Sequence, residues 1–253
     1  MSLKNKRVLI TGAARRVGRE LSLAVARAGG DVVIHYGQSQ ADAQSLCEEI
    51  QALGRKAYVL QAELNDASQV DTLIPRASEY GHLFALVNNA AIFEPLSWQG
   101  TTLEAWNHHL MVNLTVPFLL SQAFALHLPS GETGRIVNLL DWRALRPGAD
   151  HLPYTISKSA LAALTQSLAV ALAPRITVNS LALGAILPPV TKPDFATGRT
   201  PNKGEEPPDI LKHIPAGRWA DLDEVGQALI FFLEGPSYIT GEIIHIDGGR
   251  HLV

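Results

Sequence analysis

The chain has 253 residues, nearly half of them hydrophobic and under a fifth charged, a composition that excludes a disordered protein and suits a compact globular one. A formal net charge of −3 excludes the broadly basic surface on which nucleic-acid binders rely. The single cysteine, Cys47, can neither close an internal disulfide nor supply a thiolate metal cluster, and it fits a reducing, cytoplasmic compartment.

The first residues lead straight into a strand-like run, so no signal peptide is expected. Residues 7–11 predict a strand, 17–28 a helix, 31–35 a second strand and 41–53 a second helix. Strands continue at 56–61, 83–87, 135–139 and 176–179. Helices fill the gaps, the longest at 103–127 and 153–173. The stretch 160–173 is interrupted by Thr165, Gln166 and Ser167, which predicts a buried core helix and no membrane span. Apolar strands separated by helices predict one α/β domain over 1–253, a doubly wound parallel sheet with helices on both faces. Residues 184–217 differ. They hold Pro188, Pro189, Pro193, Pro201, Pro207, Pro208 and Pro215, which no long regular element tolerates, and a substrate lid is expected there.

The turn Thr11-Gly12-Ala13-Ala14-Arg15-Arg16-Val17-Gly18-Arg19 joins the first strand to the first helix. Its glycines let the backbone turn tightly and approach a pyrophosphate, whose charge the helix N-terminus stabilises. The second strand ends in His35-Tyr36-Gly37-Gln38-Ser39, with no acidic residue to hold an adenosine ribose hydroxyl. Arg16 stands where a glycine would be usual. Its guanidinium can pair with a 2′-phosphate, with His35 and Ser39 as further donors. Arg15, Arg16 and Arg19 are unfavourable beside the positive end of a helix dipole unless an anion binds there. NADPH is the cofactor expected.

Tyr154 and Lys158 lie one helical turn apart and share a face. A tyrosine with a pKa of ~10 is a poor proton donor or acceptor near neutrality unless a cation stabilises its phenolate. Lys158 can supply that charge and also reach the nicotinamide ribose. Hydride transfer to a carbonyl or imine carbon leaves negative charge on the neighbouring atom, which a positioned acid quenches, and Tyr154 is the candidate. Asn113 lies in a helical pattern despite poor helix propensity. The nine histidines are scattered, and the adjacent His108 and His109 point to different helix faces, so no metal site is expected.

Thr11-Gly12…Gly18, Asn88-Asn89-Ala90, Asn113, Tyr154-Thr155-Ile156-Ser157-Lys158 and Asp247-Gly248-Gly249 fall in the order and spacing of the classical short-chain dehydrogenases/reductases. The chain resembles that family, with its Rossmann-type fold, over essentially its whole length. The resemblance implies catalytic roles for Tyr154 and Lys158 and a proton-relay water anchored by Asn113. It also implies cofactor contacts from Gly12, Arg15, Arg16, Val17, Gly18, His35, Tyr36, Ser39, Asn89, Ala90, Gly184 and Ile186, and a homotetrameric assembly in which Arg250 and His251 can close a neighbour's site. One departure is telling. Most members carry a serine thirteen residues before the tyrosine, and here that position is Asp141. A carboxylate beside a carbonyl oxygen repels developing negative charge, but it suits a substrate that presents N–H donors or needs a proton at a ring nitrogen. With Arg16, His35-Tyr36-x-x-Ser39 and Phe93, which matches a ring-stacking aromatic, the chain is similar to the pteridine reductase branch, including dihydromonapterin reductase-like enzymes. Ala91, Glu63 and Leu183-Gly184 depart from that branch, which more often has serine, aspartate and Pro-Gly there.

The expectation is NADPH-dependent reduction of a dihydropterin, or a folate-type pterin, to its tetrahydro form. Arg16, Phe93, Asp141 and Tyr154 would bind the substrate. A carbonyl reductase acting on a 3-oxoacyl thioester or a sugar is the nearest alternative. A non-catalytic NADPH sensor is the alternative from another class, although it would need neither Tyr154 nor Lys158.

Overall fold

A computed structural model describes residues 2–186 and 209–253. Seven strands form one parallel sheet: β1 (Arg7–Ile10), β2 (Asp31–Tyr36), β3 (Ala57–Gln61), β4 (Ala85–Asn88), β5 (Gly134–Asp141), β6 (Ile176–Leu183) and β7 (Ile243–Ile246). The helices are α1 (Arg16–Arg27), α2 (Gln40–Ala52), α3 (Ala67–Glu79), α4 (Leu103–Leu110), α5 (Val116–His127), α6 (Leu152–Leu172), the short α7 (Asp209–Lys212) and α8 (Leu222–Glu234). The strand order is β3-β2-β1-β4-β5-β6-β7. The chain winds one way from β1 to β3, returns to β4 beside β1, and winds the other way. The carboxyl ends of β1 and β4 therefore flank the switch point where such sheets bind ligands.

Alternation along each strand builds a core on both faces. Val8, Ile10, Val32 and Ile34 join the cluster that contains residues of α1, α2 and α8, whereas Leu9, Val33, Leu86 and Ile136 join that of α3 and α5. All of these strand side chains are fully buried, each stabilising the fold by about 1.5–3 kcal/mol relative to exposure. The doubly wound α/β architecture is thus as expected from the apolar runs. β7, which the apolar runs did not single out, closes the far edge by pairing with β6.

The helix expected over 103–127 is broken. A π-helical turn at Met111–Thr115 separates α4 from α5. Pro117 has no N–H to give to the carbonyl of Asn113 four residues earlier, so the α-helical ladder cannot run through this point. The segments Leu103–His127 and Leu152–Leu172 are long and apolar enough to cross a bilayer by length and composition. Both, however, pack as core helices, α5 against α3 and α6 against β5 and β6. Of the expected lid, residues 187–208 lie outside the described residues. Its flanks are ordered against the body, with Ala185, Leu211 and Ile214 packed around Trp219.

Candidate active site

The β1–α1 turn meets the loop after β4 at van der Waals distance. A Cβ on Gly12, whose φ is +60°, would lie 3.0 Å from Ala90 Cα, and one on Gly18 would lie 2.2 Å from the Gly12 carbonyl oxygen. Both positions therefore demand glycine. Thr11 Oγ1 accepts the N–H groups of Asn89 and Ala90, each at 3.0 Å, and Asn89 Nδ2 donates to the Thr11 and Gly12 carbonyls at 2.8 and 3.0 Å. No side chain caps the start of α1 and no acid occupies its first turn, so its leading N–H groups, including those near Val17 and Gly18, suit an anion. Arg15 and Arg19 pair with Asp42 and Glu49 of α2. Arg16 is exposed and left-handed at φ +52°, a conformation that costs a side-chain-bearing residue about 1–2 kcal/mol. The uncapped helix start and the exposed Arg16 beside it are chemically suited to anionic groups.

Three of the expected cofactor residues also have roles within the fold. His35 cannot donate to a phosphate. Its Nδ1 accepts the Gly12 N–H at 3.1 Å and its Nε2 bonds the Ala62 carbonyl at 3.1 Å. Burial also pushes its pKa down to about 4, so the neutral ring props the Gly12 turn from behind. Gly184 is explained by packing, because a Cβ there would lie 2.6 Å from Asp247 Cα and its N–H is given to the Ile246 carbonyl. Ile186 is buried in the α1/α8-side core, which leaves its backbone as the part a ligand could touch. Ser39 precedes α2 without a side-chain capping bond, and Tyr36, the last residue of β2, is half-buried.

The chemistry-bearing side chains converge at the carboxyl end of β5. Asp141 is the last residue of that strand, and Tyr154 and Lys158 lie in the first turns of α6. The Tyr154 hydroxyl donates to Asp141 Oδ2 at 3.3 Å. Lys158 Nζ donates to the Leu139 carbonyl at 2.7 Å and sits 5.8 Å from the Tyr154 ring centre. The electrostatics differ from the expected lysine-stabilised phenolate. Burial, the Asp141 charge and the Asp141 hydrogen bond together push the Tyr154 pKa well above its ordinary value, so the group is held as a phenol, a proton donor. Phe93 projects over this pair, its ring edge-on to Tyr154 at 4.7 Å and to His151 at 4.0 Å, and it remains half-exposed.

Asn113 is buried, and both ends of its amide are engaged. Oδ1 accepts the Ile92 N–H at 2.9 Å, and Nδ2 donates to the Ile92 carbonyl and to Ser157 Oγ, each at 3.0 Å. The side chain therefore clamps the Phe93 loop to α6, and a relay water would have to be anchored by its backbone carbonyl. Sequence reasoning missed Ser157, Arg143 and His151. Only His151 carried a local signal, since it precedes Pro153 at a helix start, where the structure shows it left-handed at φ +52°. Arg250 stacks on Trp142 of its own chain at 4.1 Å, and His251 bonds Asp247, so within one chain both already have partners. Among the described residues no group of three or more metal-ligating side chains is assembled.

Burial pushes the Lys158 pKa down to about 8, with Asp141 partly opposing the shift. The ammonium is therefore present below that pH and lost above it. If its charge is needed for turnover, kcat/KM measured across pH 6–10 should fall about tenfold per unit on the alkaline side of about 8. A profile flat to pH 10 would show either that this ammonium is dispensable or that it keeps its proton to that pH.

Comparison with known proteins bears on this geometry. The family model described as short chain dehydrogenase matches residues 6–198. A 3-oxoacyl-[acyl-carrier-protein] reductase of Synechocystis sp. is 34% identical over 245 residues, covering 95% of each chain. A 2-dehydro-3-deoxy-D-gluconate 5-dehydrogenase of Bacillus subtilis is 34% identical over 253 residues, covering 98% of this chain and 95% of that one. Among solved structures, FolM alternative dihydrofolate reductase 1 from Brucella canis, complexed with NADP, superposes with a TM-score of 0.88 at 34% identity, covering 100% of this chain and 97% of that one. The glycine turn at the switch point, the Tyr154–Lys158 pair and these matches agree: the chain is an oxidoreductase of the short-chain dehydrogenase family.

Proposed function

We propose that the protein is an NADPH-dependent pteridine reductase that converts a dihydropterin, or a related folate-type pterin, to its tetrahydro form. The observation that carries this reading is the carboxylate of Asp141 within hydrogen-bonding reach of the Tyr154 hydroxyl, beside the half-exposed ring of Phe93. A carboxylate is an acceptor only, so this pocket favours a flat ring bearing N–H or amino donors over a bare ketone. Support comes from the FolM structures of Brucella canis and Brucella suis, both in complex with NADP and both 34% identical to this chain.

NADPH, when bound, supplies the hydride. Gly12, Val17 and Gly18 would admit its pyrophosphate, Arg16 and Ser39 its 2′-phosphate, and Asn89, Ala90 and Lys158 would border the rest. Phe93 would stack the heterocycle, with Asp141 accepting its donors. Tyr154 gives its proton to the ring nitrogen next to the carbon that receives hydride, so one hydride and one proton add across a C=N bond. The phenolate left behind takes its replacement proton from solvent, and Asp141, one hydrogen bond away, can relay that proton only after its own carboxylate has picked it up. The same reading carries a homotetramer, for which the exposed apolar side chains of Phe118, Leu126 and Val170 on α5 and α6 offer contact surface.

The 3-oxoacyl reductases among the relatives favour a second reading, reduction of a carbonyl thioester with the same cofactor. NADPH oxidation followed with dihydrobiopterin, dihydromonapterin, dihydrofolate and a 3-oxoacyl thioester separates the two. Turnover of at least one pterin, well above the thioester rate, is expected. Turnover of the thioester alone would refute the pteridine assignment.

A further inference from the structure

Asp141 is not held by Tyr154 alone. Its Oδ1 accepts the backbone N–H of Arg143 at 2.8 Å and faces the Arg143 guanidinium at 3.6 Å, while Oδ2 is left to the Tyr154 hydroxyl. The guanidinium is anchored in turn, since its Nη2 donates to Asp150 at 2.9 Å. It lies 5.2 Å from the Trp142 ring and 6.0 Å from the Phe93 ring, and its Nε has no partner among the described residues. The Arg143 and Asp141 side chains are only 17% and 16% exposed, so water screens the pair weakly. The other charged or titratable groups around Asp141 are Tyr154 and Lys158 from α6, His151 at its start, and Arg250 from the C-terminal turn.

We propose that the Arg143 guanidinium is a positioning and specificity-determining group: 3.6 Å from Oδ1, the oxygen already bonded by the Arg143 backbone N–H, it adds its charge to that edge of Asp141, so that Oδ2 is the oxygen presented to Tyr154 and to the substrate. The Asp150–Arg143–Asp141 chain splits the carboxylate into a structural and a reactive oxygen. A free carboxylate could rotate and present either oxygen, or bond both to the substrate. Held by one edge, it keeps one acceptor direction, toward the space between Tyr154 and Phe93. The assignment of substrate donors to that direction rests on the pteridine reading, but the coupling of Arg143 to Asp141 does not.

A double-mutant cycle tests it. Arg143→Met is expected to lower kcat/KM for the pterin substrate about tenfold in the wild-type background and less than about twofold in the Asp141→Ser background, because the cation then has no carboxylate to position. Arg143→Lys should recover part of the loss, since it keeps the charge without the fork, and Asp150→Asn should show a smaller loss of the same kind. NADPH affinity, read by fluorescence titration, should stay unchanged in each variant and reports an intact fold. Equal losses from Arg143→Met in both backgrounds, or no rescue by lysine, would overturn the proposal. If the wild-type protein reduces only the 3-oxoacyl thioester, the pteridine reading falls while the same cycle run on that substrate still decides the coupling.

Discussion

Tyr154→Phe is expected to lower kcat by about 10²–10⁴-fold while leaving NADPH affinity within about twofold of wild type. The change removes only the hydroxyl. The ring keeps its edge contact with Phe93, and the hydroxyl's partner in the structure is Asp141 Oδ2, so little packing is disturbed. What is lost is a proton donor held in its protonated form by burial and by the neighbouring carboxylate. Steady-state turnover and a fluorescence titration of NADPH on the same preparation separate chemistry from binding. Retention of more than about a tenth of wild-type kcat would place the acid elsewhere. Absence of turnover in wild type and variant alike, with equal NADPH binding, would instead favour a dinucleotide sensor.

The second large effect is expected at Asp141. Asp141→Ser should lower kcat/KM for the pterin about 10–100-fold, the range for losing a hydrogen bond to a charged acceptor in a half-buried site. The same change should preserve or raise activity toward a 3-oxoacyl thioester. A serine hydroxyl can donate to a carbonyl oxygen that a carboxylate repels. Its introduction also removes the negative charge and hydrogen bond that push the Tyr154 pKa upward. Substrate preference should therefore invert, with kcat/KM for both substrates as the measurement. Parallel losses on both substrates would mean that Asp141 supports the pocket without selecting what enters it.

Much of the framework was legible in the one-dimensional pattern because it depends on near neighbours. Apolar runs of strand length alternating with helical patterns carry the doubly wound sheet, and a glycine turn after the first strand lies at the switch point wherever that sheet forms. Tyr154 and Lys158 share a face because the helix repeat puts them one turn apart. Asp141 needed only its position relative to Tyr154 to stand out.

The remaining features depend on groups that meet across the fold. His35 looked like a phosphate donor until β2 packed beside the turn and its ring became the acceptor for the Gly12 N–H, a contact spanning 23 residues. Asn113 resembled a helical polar residue, yet its amide bridges the Ile92 loop and Ser157 of α6, and Pro117 opens the helix around it. Gly184 belongs to the approach of Asp247, 63 positions later in the chain, and carries no sign of that locally. Periodicity and turn chemistry record what each segment does alone, whereas hydrogen-bond partners and desolvation are set only when distant segments are brought into contact. Tyr154 is the clearest case. Its place on the helix followed from spacing, but its state as a buried phenol facing a clamped carboxylate required β5, α6 and the Arg143 turn to meet.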